Sequence, residues 1–225
     1  MKMITKDLIF DCIKTVTENS SDFFEFEWNF QCALANELKN KLLKKYPEEY
    51  DVIIEYCTQH LEFSENYAQG FDDKPSNKDK SDYFIDIVLK NKNIIYPIQL
   101  KYSAFNEEGR YSHGTCGGLS TYGFIEDIYI LEKLPDIIEK SKSKLKIGKS
   151  YCVFLTNDPY VLNKSKNDVY GNFVIGEEIS NEEKIYRPIK KGNESTIKLE
   201  NNYKVHRKDL ETGKFKGFKI LLVEI

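Results

Sequence analysis

Arginine is scarce in this chain, with three (Arg110, Arg187 and Arg207) among 33 basic residues in 225 positions. Few bidentate forks are therefore available, and any phosphate contact falls mostly to lysine point charges. Glycine and proline are also sparse, at 12 and 6, which excludes collagen-like repetition and general disorder. The five cysteines (Cys12, Cys32, Cys57, Cys116 and Cys152) are odd in number, widely spaced and never arranged as C-x-x-C. That pattern excludes a small disulfide-stapled module and reads as buried thiols in a reducing cytosol. No apolar run nears the ~18 residues needed to cross a bilayer, and Met1 to Phe10 lacks the apolar centre of a signal peptide. A soluble, cytoplasmic protein with no membrane partner is expected.

What the chain does have is apolar and aromatic mass. Forty per cent is hydrophobic, with 14 Phe, 15 Tyr and 1 Trp, enough for a sizeable core. The net charge of −3 excludes a uniformly basic nucleic-acid coat, but it hides an asymmetry. Lys184 to Lys219 holds eleven Lys and Arg against four Asp and Glu. A polyanion would be gripped there, and Lys190, Lys191, Lys204, Arg207 and Lys208 are the candidate backbone contacts.

The order of elements follows from periodicity. Phe30, Leu34, Leu38 and Leu42 recur every fourth position between Glu25 and Tyr46, which predicts an amphipathic helix ended near Pro47. Asp51 to Cys57 is a β-branched run suited to a strand, and Phe71 to Ser81 has the chemistry of a loop. Tyr83 to Leu89 and Ile94 to Tyr102, separated by a polar tetrad, predict a β-hairpin. Phe124, Ile128, Leu131 and Leu134 mark a helix from Leu119, with Pro135 opening a continuation or second helix to about Leu145. Tyr151 to Thr156 reads as a buried strand. Thr196 to Leu199 and Phe218 to Ile225 are strand-like pieces of a β-rich tail. The expected class is α/β with a mixed sheet. Residues 1–160 form the core, and 161–225 form a basic β-rich extension packed on it.

Two charges in the hairpin need a reason, since burying an unpaired charge is costly. If Lys92 and Asn93 form a two-residue turn, Asp86 lies opposite Gln99, and Lys101 shares that face two residues on. A carboxylate, an amide oxygen and an ammonium then converge. Hard oxygen donors suit Mg²⁺ with its retained waters, and a lysine beside them would orient a water and offset charge on a phosphate. Phosphodiester hydrolysis is the reaction this set fits best.

Ile85-Asp86 followed by Gln99-Leu100-Lys101, in the order α-β-β-β-α-β from Glu25 to Thr156, resembles the PD-(D/E)XK nuclease superfamily in a D…QxK variant. The segment Tyr122 to Glu132 with Phe154 to Asp158 is similar to an uncharacterised bacterial branch of it. The resemblance implies a restriction-endonuclease-like core and a Mg²⁺- or Mn²⁺-dependent endonuclease acting on DNA, in restriction or defence. Asp86, Gln99 and the Leu100 carbonyl would be metal ligands, Lys101 the catalytic lysine, and a homodimer a common assembly. Such nucleases often add a Glu from the first helix. On a helical wheel Glu27 falls in the middle of the buried stripe, so it is carried into that role, with Glu37 in reserve and Gln31 supporting from one turn along. Gln99 is neutral, which leaves one carboxylate fewer. A catalytically silent subunit that binds nucleic acid or acts as a scaffold is the alternative.

Other signals are weaker. Gly148-Lys149-Ser150 lacks the upstream Gly of a phosphate loop and precedes a strand. His113 and Cys116 have no second ligand pair for zinc. The Gly114 to Gly118 stretch reads as a flexible loop near the site.

Overall fold

The computed structural model describes residues 4–46, 49–57, 84–105, 111–114, 117–141, 143–162, 175–182, 185–186 and 196–225. In chain order the elements begin with α1 (Lys6–Asn19), α2 (Glu27–Lys45), β1 (Asp51–Cys57), β2 (Phe84–Asn91) and β3 (Ile94–Phe105). Then come β4 (Tyr111–Gly114), α3 (Gly117–Lys140), β5 (Lys146–Ile147), β6 (Tyr151–Thr156) and α4 (Pro159–Leu162). The chain ends with β7 (Glu178–Ile179), β8 (Ile185–Tyr186), β9 (Thr196–Ile197), β10 (Tyr203–Asp209) and β11 (Lys219–Glu224). This is an α/β arrangement around a mixed sheet of order β1-β2-β3-β6-β11-β10-β7, with β4 and β5 both pairing to β3.

The sheet has helices on both faces. Ile87, Leu89, Ile98, Leu100 and Tyr102 pack with α1 and α2. Ile85, Val88, Ile95, Cys152 and Phe154 pack with Phe124, Ile128, Leu131 and Leu134 of α3. The β3-α3-β6 passage joins two parallel strands, which requires a long crossover of the kind a helix supplies.

The predicted hairpin is present, with Asn91 opposite Ile94 across Lys92 and Asn93. Lys92 takes the positive φ of 55° that such a tight turn demands. Pro135 lies inside α3, which continues as one helix to Lys140 instead of restarting. α1 and β10 are elements that the periodicity reading did not assign. α1 is capped by Thr5, whose Oγ1 accepts from the Leu8 amide. The loop expected at Phe71 to Ser81 lies outside the described residues, as do Pro47 and Cys116. The C-terminal part extends the same sheet, since β11 pairs with β6 along its whole length.

Besides a register shift between β3 and β4 at Ala104 and Phe105, the row of the sheet that contains Asp86 is irregular. Ladder pairs Ile54↔Ile87 and Tyr56↔Ile85 leave Glu55 and Asp86 between them. Ile87 packs on the α2 face while Ile85, two residues away, packs on the α3 face. Regular alternation would put both on one face. Glu55 has φ of 51°, a conformation costing a non-glycine residue about 1–2 kcal/mol. The strands flip sides at this row, and the β2–β3 ladder stops beside it, at Ile87↔Ile98.

Candidate active site at the split between two strands

Between Ile98, where pairing with β2 ends, and Ser103, where β4 takes that side, β3 has no strand neighbour on the β2 side, and its backbone amides there need other acceptors. Side chains supply them. The Leu100 amide donates to Asp86 Oδ2 at 2.6 Å, and the Tyr102 amide donates to Glu27 Oε2 at 2.9 Å. Gln99 closes the gap across the strands: its Oε1 accepts from the Asp86 amide at 3.0 Å and its Nε2 donates to the Phe84 carbonyl at 3.0 Å. Gln31 of α2 donates to the Asp86 carbonyl at 2.6 Å. The Leu100 and Tyr102 amides are two residues apart on one strand, so the two carboxylates sit roughly 7 Å from each other.

The split also lets the two faces of the sheet communicate. Lys101 projects toward α3, where its Nζ lies 3.0 Å from Asp127 Oδ2. Glu27 comes from α2 on the opposite face, yet its Oε1 reaches to 3.5 Å from the same ammonium. Gly123, one helical turn before Asp127, makes room for the lysine stem: a Cβ there would come within 3.1 Å of Lys101 Cε.

The electrostatics follow from burial. Desolvation pushes Asp86 up to about 6, opposed by Lys101 and the Leu100 amide and reinforced by Glu27 and Glu55. Burial likewise pushes Asp127 upward against the pull of Lys101. For Lys101, burial alone would favour the neutral amine, but Asp127, Glu27 and Asp86 outweigh it and hold the ammonium charged. Asp127 Oδ2 is at ion-pair distance from Lys101 without hydrogen-bond alignment.

Asp86, Gln99, Lys101, Glu27 and Gln31 are thus brought together. Glu37 is not: it lies ten residues along α2 from Glu27, about 15 Å by helical rise, and faces Lys41 at 3.7 Å. Gln99 has both amide atoms engaged by backbone, so it bridges the strands where a metal-binding role was expected. Asp86 Oδ1, Glu27 Oε1 and the Leu100 carbonyl stand outside these backbone bonds. Leu100 directs its amide into the split, and in an extended strand a residue's carbonyl faces the same side. That all-oxygen donor set fits a hard divalent cation in chemical kind. Among the described residues, however, no three acidic, His or Cys groups are gathered as a ready cation site.

The basic contacts expected on the extension are arranged differently from a free phosphate grip. Arg207 donates to the carbonyls of Ile175 and Gly176, the latter at 3.0 Å, and so ties down a neighbouring segment. Lys208 stacks over the Phe10 ring at 4.5 Å. Lys204 is exposed on β10, and Lys190 and Lys191 lie outside the described residues.

Asp127, Gly123 and Glu55 were not found by sequence reasoning. For Asp127 the signal was there: it lies on the stripe of Phe124, Ile128 and Leu131, and a carboxylate on a buried stripe wants a cation, as argued for Glu27. Glu55 gave no such signal, because its unusual φ depends on the two-strand row it shares with Asp86. The chain matches no family model, no curated protein and no solved structure.

Proposed function

We propose that this protein is a metal-dependent nuclease that hydrolyses DNA phosphodiesters, with a PD-(D/E)XK-type core. The observation that carries this reading is the convergence of Asp86, Glu27 and Lys101 at the strand split, from three elements and both faces of the sheet. Asp86 Oδ1, Glu27 Oε1 and the Leu100 carbonyl would hold Mg²⁺ or Mn²⁺. Such an ion supplies Lewis-acid polarisation of the phosphate and a water of lowered pKa. Lys101, kept cationic by Asp127 and Glu27, orients the attacking water and offsets charge developing on the phosphate oxygens. Gln99 holds β2 and β3 at the separation the site requires, and Gln31 fixes the Asp86 backbone from α2.

A second reading has its own support. The engaged Gln99 amide, and the absence of a three-acid cluster among the described residues, suit a catalytically silent subunit that binds nucleic acid. Incubating the protein with supercoiled plasmid and with circular single-stranded DNA in Mg²⁺, Mn²⁺ or EDTA, beside Lys101→Ala, separates them. Metal-dependent nicking lost in the variant supports the nuclease. Both DNAs intact, with a salt-sensitive mobility shift in both proteins, supports the binder.

A further inference from the structure

Four large apolar side chains are exposed among the described residues, and three of them adjoin the site: Phe26 at 61%, Trp28 at 47% and Phe84 at 53%. Phe26 and Trp28 flank Glu27 in sequence, immediately before α2 and in its first turn. Phe84 opens β2 two residues before Asp86 and receives the Gln99 amide on its carbonyl. Single exposed aromatics need no explanation. Three within two residues of the same two carboxylates do.

Positive charge reaches this rim from an unexpected part of the chain. The connection between β10 and β11 is closed by hydrogen bonds from Leu210 to the Phe218 carbonyl at 2.8 Å and from Gly217 to the Leu210 carbonyl at 2.9 Å. Its Phe215 ring is fully buried and packs 5.1 Å from Phe24, which lies 5.7 Å from the Tyr102 ring. Tyr102 is the residue whose amide holds Glu27. The same turn carries Lys214, with its ammonium 3.6 Å from Asp22 and 4.9 Å from the Phe23 ring, and Lys216, which is exposed. Lys214 thus stands beside the loop that leads into Phe26, Glu27 and Trp28, with Lys216 exposed two residues further along the same turn.

Lysines alternating with exposed aromatic rings are how proteins hold unpaired nucleic acid: phosphates meet the ammonium groups and bases stack on the rings, with little regard for sequence. A duplex keeps its bases stacked inside and offers no ring faces to Trp28. We propose that Phe26, Trp28, Lys214 and Lys216 form an entry track for a single unpaired nucleic-acid strand, which they deliver to the Asp86–Lys101 split. The inference rests on the phosphodiester reading of that site and specifies its substrate as single-stranded.

Trp28 is the only tryptophan in the chain, so its fluorescence reports the track directly. The full chain in EDTA is titrated with oligothymidine, oligouridine, a blunt duplex and heparin. Either single strand should quench Trp28 saturably, the DNA and RNA arms showing which sugar is preferred, while heparin, a polyanion without bases, should not. Phe26→Ala should weaken the single-strand affinity about tenfold. Lys214→Ala with Lys216→Ala should lower the salt slope by about 1.4. Equal quenching by duplex or by heparin, or no quenching by any strand, overturns the track. Quenching without metal-dependent cutting would leave the track and remove the nuclease; cutting without quenching would do the reverse.

Discussion

The carboxylate of Glu27 and the main-chain amide of Tyr102 stand 2.9 Å apart across 75 residues of sequence, and this bond ties an acidic group on α2 to the one strand edge that β2 leaves open. Asp86 does the same for Leu100. Each carboxylate uses one oxygen to complete the backbone bonding of β3, and the second oxygen of Glu27 lies 3.5 Å from the Lys101 ammonium. A strand split bonded in this way is rigid enough to hold two acids and a lysine in fixed relation, which a catalytic set requires.

Gln99 gives the sharpest test of how the split is held. Glutamate at this position would keep an acceptor for the Asp86 amide but could not donate to the Phe84 carbonyl, and would set two oxygens against each other. Gln99→Glu should cost about 1–3 kcal/mol of stability, measured by urea denaturation. If Gln99 were chiefly a metal ligand, the added charge would instead tighten Mg²⁺ or Mn²⁺ binding, and the variant would gain stability in their presence.

Lys101 and Asp127 should behave as a unit. Removing either partner leaves a buried charge uncompensated, a loss of about 3–5 kcal/mol for a well-buried pair. Because Lys101 retains partial exposure and a second partner in Glu27, the lower end of that range is expected. Lys101→Ala should abolish cleavage. Asp127→Asn should retain some, with its effects on stability and rate not adding to those of Lys101→Ala. A double-mutant cycle by chemical denaturation reads the coupling.

The pH dependence follows from the upward shifts of Asp86 and Asp127. A carboxyl whose folded pKa is raised favours the protonated native state. Its contribution is full below the ordinary carboxylate range and is lost as pH rises through about 6 for Asp86. The metal-free protein should therefore lose stability between pH 5 and pH 7 relative to Asp86→Asn. A cation bound by ionised Asp86 reverses the sign, so Mg²⁺ or Mn²⁺ should raise the melting temperature more at pH 8 than at pH 5. Equal stabilisation at both pH values would argue against Asp86 as a ligand.

Much of this site was legible in the sequence because it depends on local rules. The hairpin register followed from a two-residue polar turn, and that register put Asp86 opposite Gln99. The helical wheel placed Glu27 toward the core. What was not legible depends on the sheet as a whole. The ladder stops at Ile87↔Ile98 because the β1–β2 pair flips faces at Glu55 and Asp86, and no single-strand pattern encodes that. For the same reason the bonds of Gln99 to the Asp86 amide and the Phe84 carbonyl were not legible. Arg207 was read as a free charge, whereas the carbonyls it meets, at Ile175 and Gly176, are 31 and more residues away.

Glu132 of α3 fastens the turn that leads into β10. This largely buried carboxylate on α3 accepts from the Glu200 and Asn201 amides, each at 2.9 Å, from the Asn201 side chain at 3.0 Å and from the Tyr203 hydroxyl at 2.8 Å. These donors all precede or open β10, so one side chain gathers the turn that leads into the C-terminal strands. Glu132→Ala would strand several donors, costing about 3 kcal/mol, and amide exchange should accelerate through 199–204 while β3 and β6 stay protected. Because β10 and β11 also carry the turn with Lys214 and Lys216, the same variant should weaken nucleic-acid binding without touching the strand split. If exchange instead rose equally across the sheet, Glu132 would be a general core contact and not a local clasp on the turn before β10.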